Sequence, residues 1–219
     1  LGALGALAQS DLKRLAAFLV VSGIGAMLVG IGLGTAAGVS GAIVYAVHSM
    51  LAMTALFVLF GTMETVLGIK DLNHGGGVYA AFPMVAVFGL AVVLAVSGLP
   101  PFSGFWPKFM LVDAAFERGD GIAVLGAVGV IVTGILTTIV MGRAWVLTVL
   151  KPSDGQDGAP IAADGSIGGK MGTLGLLVFL LLGLGLFPSM VVPAADVGAA
   201  GLLDPTLYTE RVLGMREGG

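Results

Sequence analysis

Six side chains with proton chemistry stand in or against apolar stretches of this sequence: Lys13, Tyr45, His48, Lys108, Asp113 and Glu117. Lys108 lies between Pro107 and Phe109, beside Trp106, near the start of an apolar run that opens at Phe105. Desolvation favours a neutral amine over an ammonium, so a lysine in such a place can load and release a proton. The bland alternative is a side chain that snorkels its charge to a polar boundary. Asp113 and Glu117 follow on the same run, four residues apart, and either face a hydrated break or form the end of the helix. His48 sits in a run with no Asp, Glu, Lys or Arg between Arg14 and Glu64. An imidazole titrates near ~6.5 and suits a relay; the alternative is a histidine satisfied in a core. Tyr45, Thr54 and Thr62 offer further polar stations, with Thr54 off the His48 face. Lys13 follows an N-cap at Ser10 or Asp11 and by itself reads as an interfacial positive charge. Glu64 and Arg143 read as structural, and His74 has no partner at metal-ligand spacing.

The surroundings decide what these groups mean. Of 219 residues, 57% are hydrophobic and only 11% charged, against about 25% charged in ordinary soluble domains. Mean hydropathy is +1.06. So few charges cannot cover a soluble globule, and the composition implies an all-α polytopic membrane protein. The absence of cysteine excludes disulfides, thiolate zinc, iron–sulfur clusters and a cysteine nucleophile. A net charge of −3 without a basic cluster excludes nucleic acid as a partner. Gly75-Gly-Gly77 lacks the Gly-Lys-Ser/Thr ending of a phosphate loop, and Gly23-x-Gly25 lacks a third glycine. Neither a cofactor nor a metal is expected, and no nucleophile–base pair favours an enzyme.

A spanning helix needs about 20 apolar residues. Full spans are expected near 12–36, 41–67, 78–98, 122–150 and 171–193, with a half-helix near 105–117. Residues 2–8 resemble the end of a further helix. Gly30-xxx-Gly34-xxx-Gly38 places small residues where two helices approach closely. The segment 105–117 gives about 20 Å of helix, too short to cross, while 122–150 gives about 43 Å. That contrast predicts one discontinuous helix broken near 118–121, or else a short re-entrant helix and an ordinary loop. Pro100 and Pro101 make a tight turn before it. The bundle is expected over 1–193, with 194–219 an extramembrane or interfacial tail containing a short helix from Asp204-Pro205.

Sidedness follows from the basic residues. Segments 11–14, 68–77 and 151–170 share one side, with Lys13, Arg14, Lys70, Lys151 and Lys170, and Arg143 near it. That side is assigned to the cytoplasm and the C-terminus to the outside, with Trp145 in the aromatic belt. The chain opens on Leu1 without a basic n-region, and is read as an internal or C-terminal piece of a longer protein.

Taken together, these motifs resemble the proton-translocating subunits related to respiratory complex I. Gln9-Ser-Asp-Leu-Lys-Arg-Leu15 resembles the start of a core helix there. Tyr45-Ala-Val-His-Ser-Met-Leu51 resembles the histidine helix. Residues 97–108, Ser-Gly-Leu-Pro-Pro-Phe-Ser-Gly-Phe-Trp-Pro-Lys, resemble the family's proline turn and the lysine-bearing discontinuous helix after it. Leu207-Tyr-Thr-Glu-Arg-Val-Leu-Gly214 is similar to the end of the D-type membrane component of multisubunit Na+/H+ antiporters, the Mrp or Pha type. The resemblance implies that Lys108 is the protonatable lysine of a half-channel, and that Lys13 and His48 belong to a polar chain across the membrane. Many relatives carry a lysine five residues after the histidine, where this chain has Met53. The implied protein is one subunit of a monovalent cation/proton antiporter in a bacterial inner membrane, exchanging protons for Na+ or K+ beside other subunits. Two rivals stand: a proton-pumping subunit of a complex I-type NADH dehydrogenase, and a non-transporting membrane scaffold.

Overall fold

The computed structural model describes residues 1–73, 76–152, 167–204, 206 and 209, and excludes the side chains of Val66, Leu67 and Ile167. Among the described residues the chain is helical, without a strand beyond one isolated bridge between Asp11 and Asp71. The helices are α1 (Gly2–Leu7), α2 (Leu12–Gly32), α3 (Ala36–Leu67), α4 (Val78–Ala81), α5 (Pro83–Ser97), α6 (Phe105–Arg118), α7 (Gly121–Trp145), α8 (Ile167–Leu186) and α9 (Val192–Leu203). A π-helical turn, Val146–Leu150, extends α7.

Caps set the ends. The Asp11 carboxylate accepts from the Arg14 N–H and starts α2. The Thr35 hydroxyl accepts from the Gly38 N–H and starts α3, and the Asp120 carboxylate accepts from the Ala123 N–H and starts α7. The expected connection at 36–40 is therefore the first turn of α3, and the first span stops at Gly32. Gly30 and Gly38 face each other so closely that a Cβ on either would meet the other's carbonyl oxygen at 2.6 Å. The three glycines do not share one helix, since Gly34 takes φ +62° in the turn, but Gly30 of α2 and Gly38 of α3 bring the two helices together.

Four helices among the described residues are long and apolar enough to cross a membrane alone: α2, α3, α7 with its extension, and α8. The expected span 78–98 is instead split at Phe82-Pro83, leaving α5 with 15 residues, about 22 Å. The 14 residues of α6 add about 21 Å. Neither crosses a ~30 Å hydrocarbon core, but the two end to end do.

The discontinuity therefore lies at 98–104, not at 118–121. Leu33, Ala114, Ala115, Ala123 and Ala127 form one cluster, while Leu111 meets Val130 and Ala26 in another. Positions falling on α6 pair with positions rising on α7, so 118–121 is the corner of an antiparallel hairpin. Further along α7, Val140, Met141 and Ala144 join the main core with α5, and Trp145 comes against Gly89. α3 does the same, with Leu111 of α6 against Gly41 and Leu59 against Gly89 of α5. Both long helices thus run along α6 and then α5, which places the halves in line. Gly119 takes the left-handed conformation at the corner, and Asp120 opens the next helix, which is the chemistry of a turn.

The loops assigned to the basic side do meet. Leu12 N–H donates to the Lys70 carbonyl at 3.1 Å, Leu72 N–H to Ser10 at 2.9 Å, and Gly77 N–H to Lys151 at 2.7 Å. Lys170 begins in α8, not in the loop, and donates to the Thr65 hydroxyl at 2.7 Å. On the opposite side Arg118 donates to the Leu33 carbonyl and pairs with Asp120 at 2.6 Å, tying the hairpin corner to the α2–α3 turn. The last expected span ends at Leu186, ahead of Pro188. Residues 192–203 form α9, which lies on α3 through Ser40, whose hydroxyl donates to Asp196 at 2.5 Å. His74 lies outside the described residues, as does the expected helix from Asp204-Pro205 apart from Asp204, Thr206 and Thr209. Trp145 is half-buried and packs against the core cluster.

Candidate proton pathway

The break at 98–104 gathers the groups that matter. An α-helix leaves its last four carbonyls without intrahelical partners. In α5 these belong to Leu94, Ala95, Val96 and Ser97. Gly98 N–H donates to Leu94 and Ala95 at 3.1 Å each, and Leu99 N–H to Leu94 at 3.0 Å. The Lys108 ammonium takes the other two, reaching Ser97 at 2.7 Å and Val96 at 3.2 Å. The lysine of α6 therefore caps the C-terminus of α5, where the helix dipole favours positive charge. Gly98 makes this possible with φ +82°, a backbone that side chains resist. Among the described residues no carboxylate pairs with Lys108.

Packing holds the break in place. Ser103 N–H donates to the Leu181 carbonyl at 3.0 Å, and Trp106 Nε1–H to Gly185 at 2.7 Å, both on α8. A Cβ on Gly104 would run into the Ala95 carbonyl and come within 3.0 Å of His48 Cε1. Only a glycine lets the two half-helices and the histidine approach so closely.

His48 is 4% exposed and shares a 2.9 Å hydrogen bond between Nδ1 and Ser103 Oγ. It lies about 18 Å along α3 from Ala36 and about 29 Å from Leu67, well inside the apolar layer. It is also close enough to Lys108 for their charges to interact. Tyr45 stands edge-on to the imidazole, ring centroids 6.1 Å apart. Lys108, His48 and Tyr45 thus lie near one another, and Ser103, which sequence reasoning did not single out, bonds to His48. Its one signal was a hydroxyl in an otherwise apolar turn.

The other candidates stand apart. Lys13 forms an ion pair with Glu64 on the basic side, with side chains 58% and 26% exposed. Asp113 and Glu117 are exposed on α6, and five residues at 100° each turn Asp113 away from Lys108. Thr54 and Thr62 donate to Met50 and Val58 carbonyls of their own helix. Arg143 donates to the Leu7 carbonyl at 2.9 Å and caps α1.

The break in α5–α6, capped by a lysine and flanked by a buried histidine, is the kind of discontinuous helix at which membrane transporters place their ion sites. The family profile described as NADH:quinone oxidoreductase/Mrp antiporter, transmembrane, matches residues 1–136, and the chain belongs to that family. It is 31% identical over 97% of its length to the D-type component of the Na(+)/H(+) antiporter of Alkalihalophilus pseudofirmus. The Mrp complex from Dietzia superposes with a TM-score of 0.84 at 28% identity, over 97% of this chain and 47% of that one. Respiratory complex I from Thermus thermophilus superposes with a TM-score of 0.77 at 26% identity, over 93% of this chain and 42% of that one. The chain spans about 42% of the length of the curated antiporter component it matches.

Proposed function

We propose that this chain is the C-terminal half of a subunit of a bacterial inner-membrane monovalent cation/proton antiporter, a transporter subunit and not an enzyme. It works with other subunits of a multisubunit complex and carries protons in exchange for Na+ or K+. The C-terminus faces outside. The observation that carries this reading is the setting of Lys108: among the described residues its ammonium is held by the carbonyls of Val96 and Ser97 at a helix break. A carboxylate partner would pin the charge, because losing the proton would strand a buried anion. Backbone carbonyls still accept from a neutral amine, though more weakly than from an ammonium, so Lys108 keeps partners when it is unloaded in place. His48 is the next station, through Ser103. Lys13, with Glu64, stands at the cytoplasmic mouth.

The test uses the complete complex in everted vesicles from antiporter-deficient cells. Adding Na+ or K+ should collapse a preformed pH gradient, and Lys108→Ala should abolish the collapse while the complex still assembles. Cation-independent proton movement coupled to NADH oxidation would establish the complex I-type reading instead. Full transport with Lys108→Ala would leave the scaffold reading.

A further inference from the structure

Ser97 is 5% exposed, and its hydroxyl makes no hydrogen bond among the described residues. A polar group buried this deeply has a partner in nearly every folded protein, so an orphan points to something outside the chain that serves it. Ser97 also ends α5, and its backbone carbonyl is one of the two that the Lys108 ammonium holds. The other belongs to Val96. A Cβ on Gly98 would meet Lys108 Nζ at 2.7 Å and the Gly104 carbonyl oxygen at 2.9 Å, so a third carbonyl borders the same space. Gly98, without a side chain, keeps that space open. Among the described residues no carboxylate pairs there. Three carbonyls and a hydroxyl are hard, neutral oxygens, and they gather at the negative end of a helix dipole. Such a set suits an alkali cation, which carbonyls coordinate in place of its water. A divalent ion would call for carboxylates.

We propose that the carbonyls of Val96, Ser97 and Gly104 and the Ser97 hydroxyl bind the transported Na+ or K+, and that this cation and the Lys108 ammonium take the place in turn. The proposal rests on the reading of Lys108 as proton carrier given above. With Lys108 protonated, its charge occupies the carbonyls and repels a second cation. Once the proton passes on toward His48, the amine is neutral and holds the carbonyls more weakly. The end of α5 then lacks a positive charge, and the metal cation supplies one. A proton returning to Nζ expels the cation again. The break carries one positive charge in both states, so the exchange needs no carboxylate. Two ions that use one place in alternation are coupled by that fact alone.

Ser97→Ala tests the site in the complete complex, reconstituted in vesicles and titrated with Na+ and with K+. The cation concentration for half-maximal antiport should rise about tenfold, the scale of one polar partner lost, at unchanged subunit abundance. Ser97→Thr, which keeps the hydroxyl, should restore the native value. A merely structural hydroxyl predicts otherwise: removing an unpartnered polar group from the interior would raise the melting temperature and leave that concentration unchanged. An unchanged concentration at normal abundance overturns the site. A second measurement does not depend on that variant. In lightly buffered detergent solution, adding Na+ or K+ to the native complex should release protons, and the Lys108→Ala complex should release fewer. No release from the native complex, or equal release from Lys108→Ala, overturns the alternation even if Ser97→Ala is lost from the membrane. Antiport by Lys108→Ala separates the two ideas. Transport surviving there sinks the proton-carrier reading, whereas transport lost there with a native cation requirement in Ser97→Ala sinks the cation site alone.

Discussion

The ammonium of Lys108 reaches back 11 residues to the Ser97 carbonyl at 2.7 Å, so the second half-helix supplies the cap of the first. Either half alone would end with unsatisfied polar groups in an apolar layer, at a cost of several kcal/mol per group. The break is stable because the candidate proton carrier completes it. Structure and transport thus make different demands on one side chain, and variants at neighbouring positions separate them.

Gly104→Ala addresses the structural demand. Its Cβ would collide with the Ala95 carbonyl and lie 3.0 Å from Gly98 Cα. Backbone cannot yield as a flexible side chain does, and overpacking of this kind costs about 1–3 kcal/mol. The complex in detergent should unfold at a lower temperature, whereas Gly61→Ala, facing open space, should not shift it. An unchanged melting temperature for Gly104→Ala would show that the half-helices are not held so closely.

His48 and Ser103 should act as one unit. His48→Ala is expected to slow antiport in the assembled complex without lowering subunit abundance. Ser103→Ala removes the partner of Nδ1 and should slow it in the same direction. The double variant should be no slower than His48→Ala, because the two residues share one interaction. Additive losses would separate their roles, and transport unchanged across pH in His48→Ala would make it a core histidine.

The Lys13–Glu64 pair is open to solvent on the lysine side, so it adds at most about 1 kcal/mol. Exchanging the charges, Lys13→Glu with Glu64→Lys, keeps an ion pair between α2 and α3. If Lys13 carries protons at the cytoplasmic mouth, the exchange should restore thermal stability but not rate. Full recovery of rate in a vesicle assay would remove Lys13 from the path.

Lys108 and His48 were legible in the sequence because a charge or imidazole inside an apolar run is conspicuous whatever surrounds it. Ser103 was not, since a hydroxyl gains meaning only from the register of a distant helix: Ser103 meets His48 across 55 positions. The break was misplaced for a related reason. Length shows that 105–117 is too short to cross, but not which neighbour completes it. Gly119-Asp120 and Pro100-Pro101 both interrupt a helix. Only packing shows that α7 folds back along α6 while α5 continues its line. Gly30, Gly34 and Gly38 read as one-turn steps of a single span, but a turn at Gly34 puts Gly38 on α3, and it meets Gly30 across that turn, which spacing alone does not show.

The most direct measurement compares Lys108→Arg with the native protein in the complete complex, following cation-driven collapse of a pH gradient. Arginine can still cap α5, since a guanidinium also donates to carbonyls, but it stays charged and releases no proton. The account predicts an assembled complex of near-native thermal stability that transports almost as poorly as Lys108→Ala. Full transport by Lys108→Arg would show that this position needs only a fixed positive charge, and would contradict the assignment of Lys108 as the proton carrier.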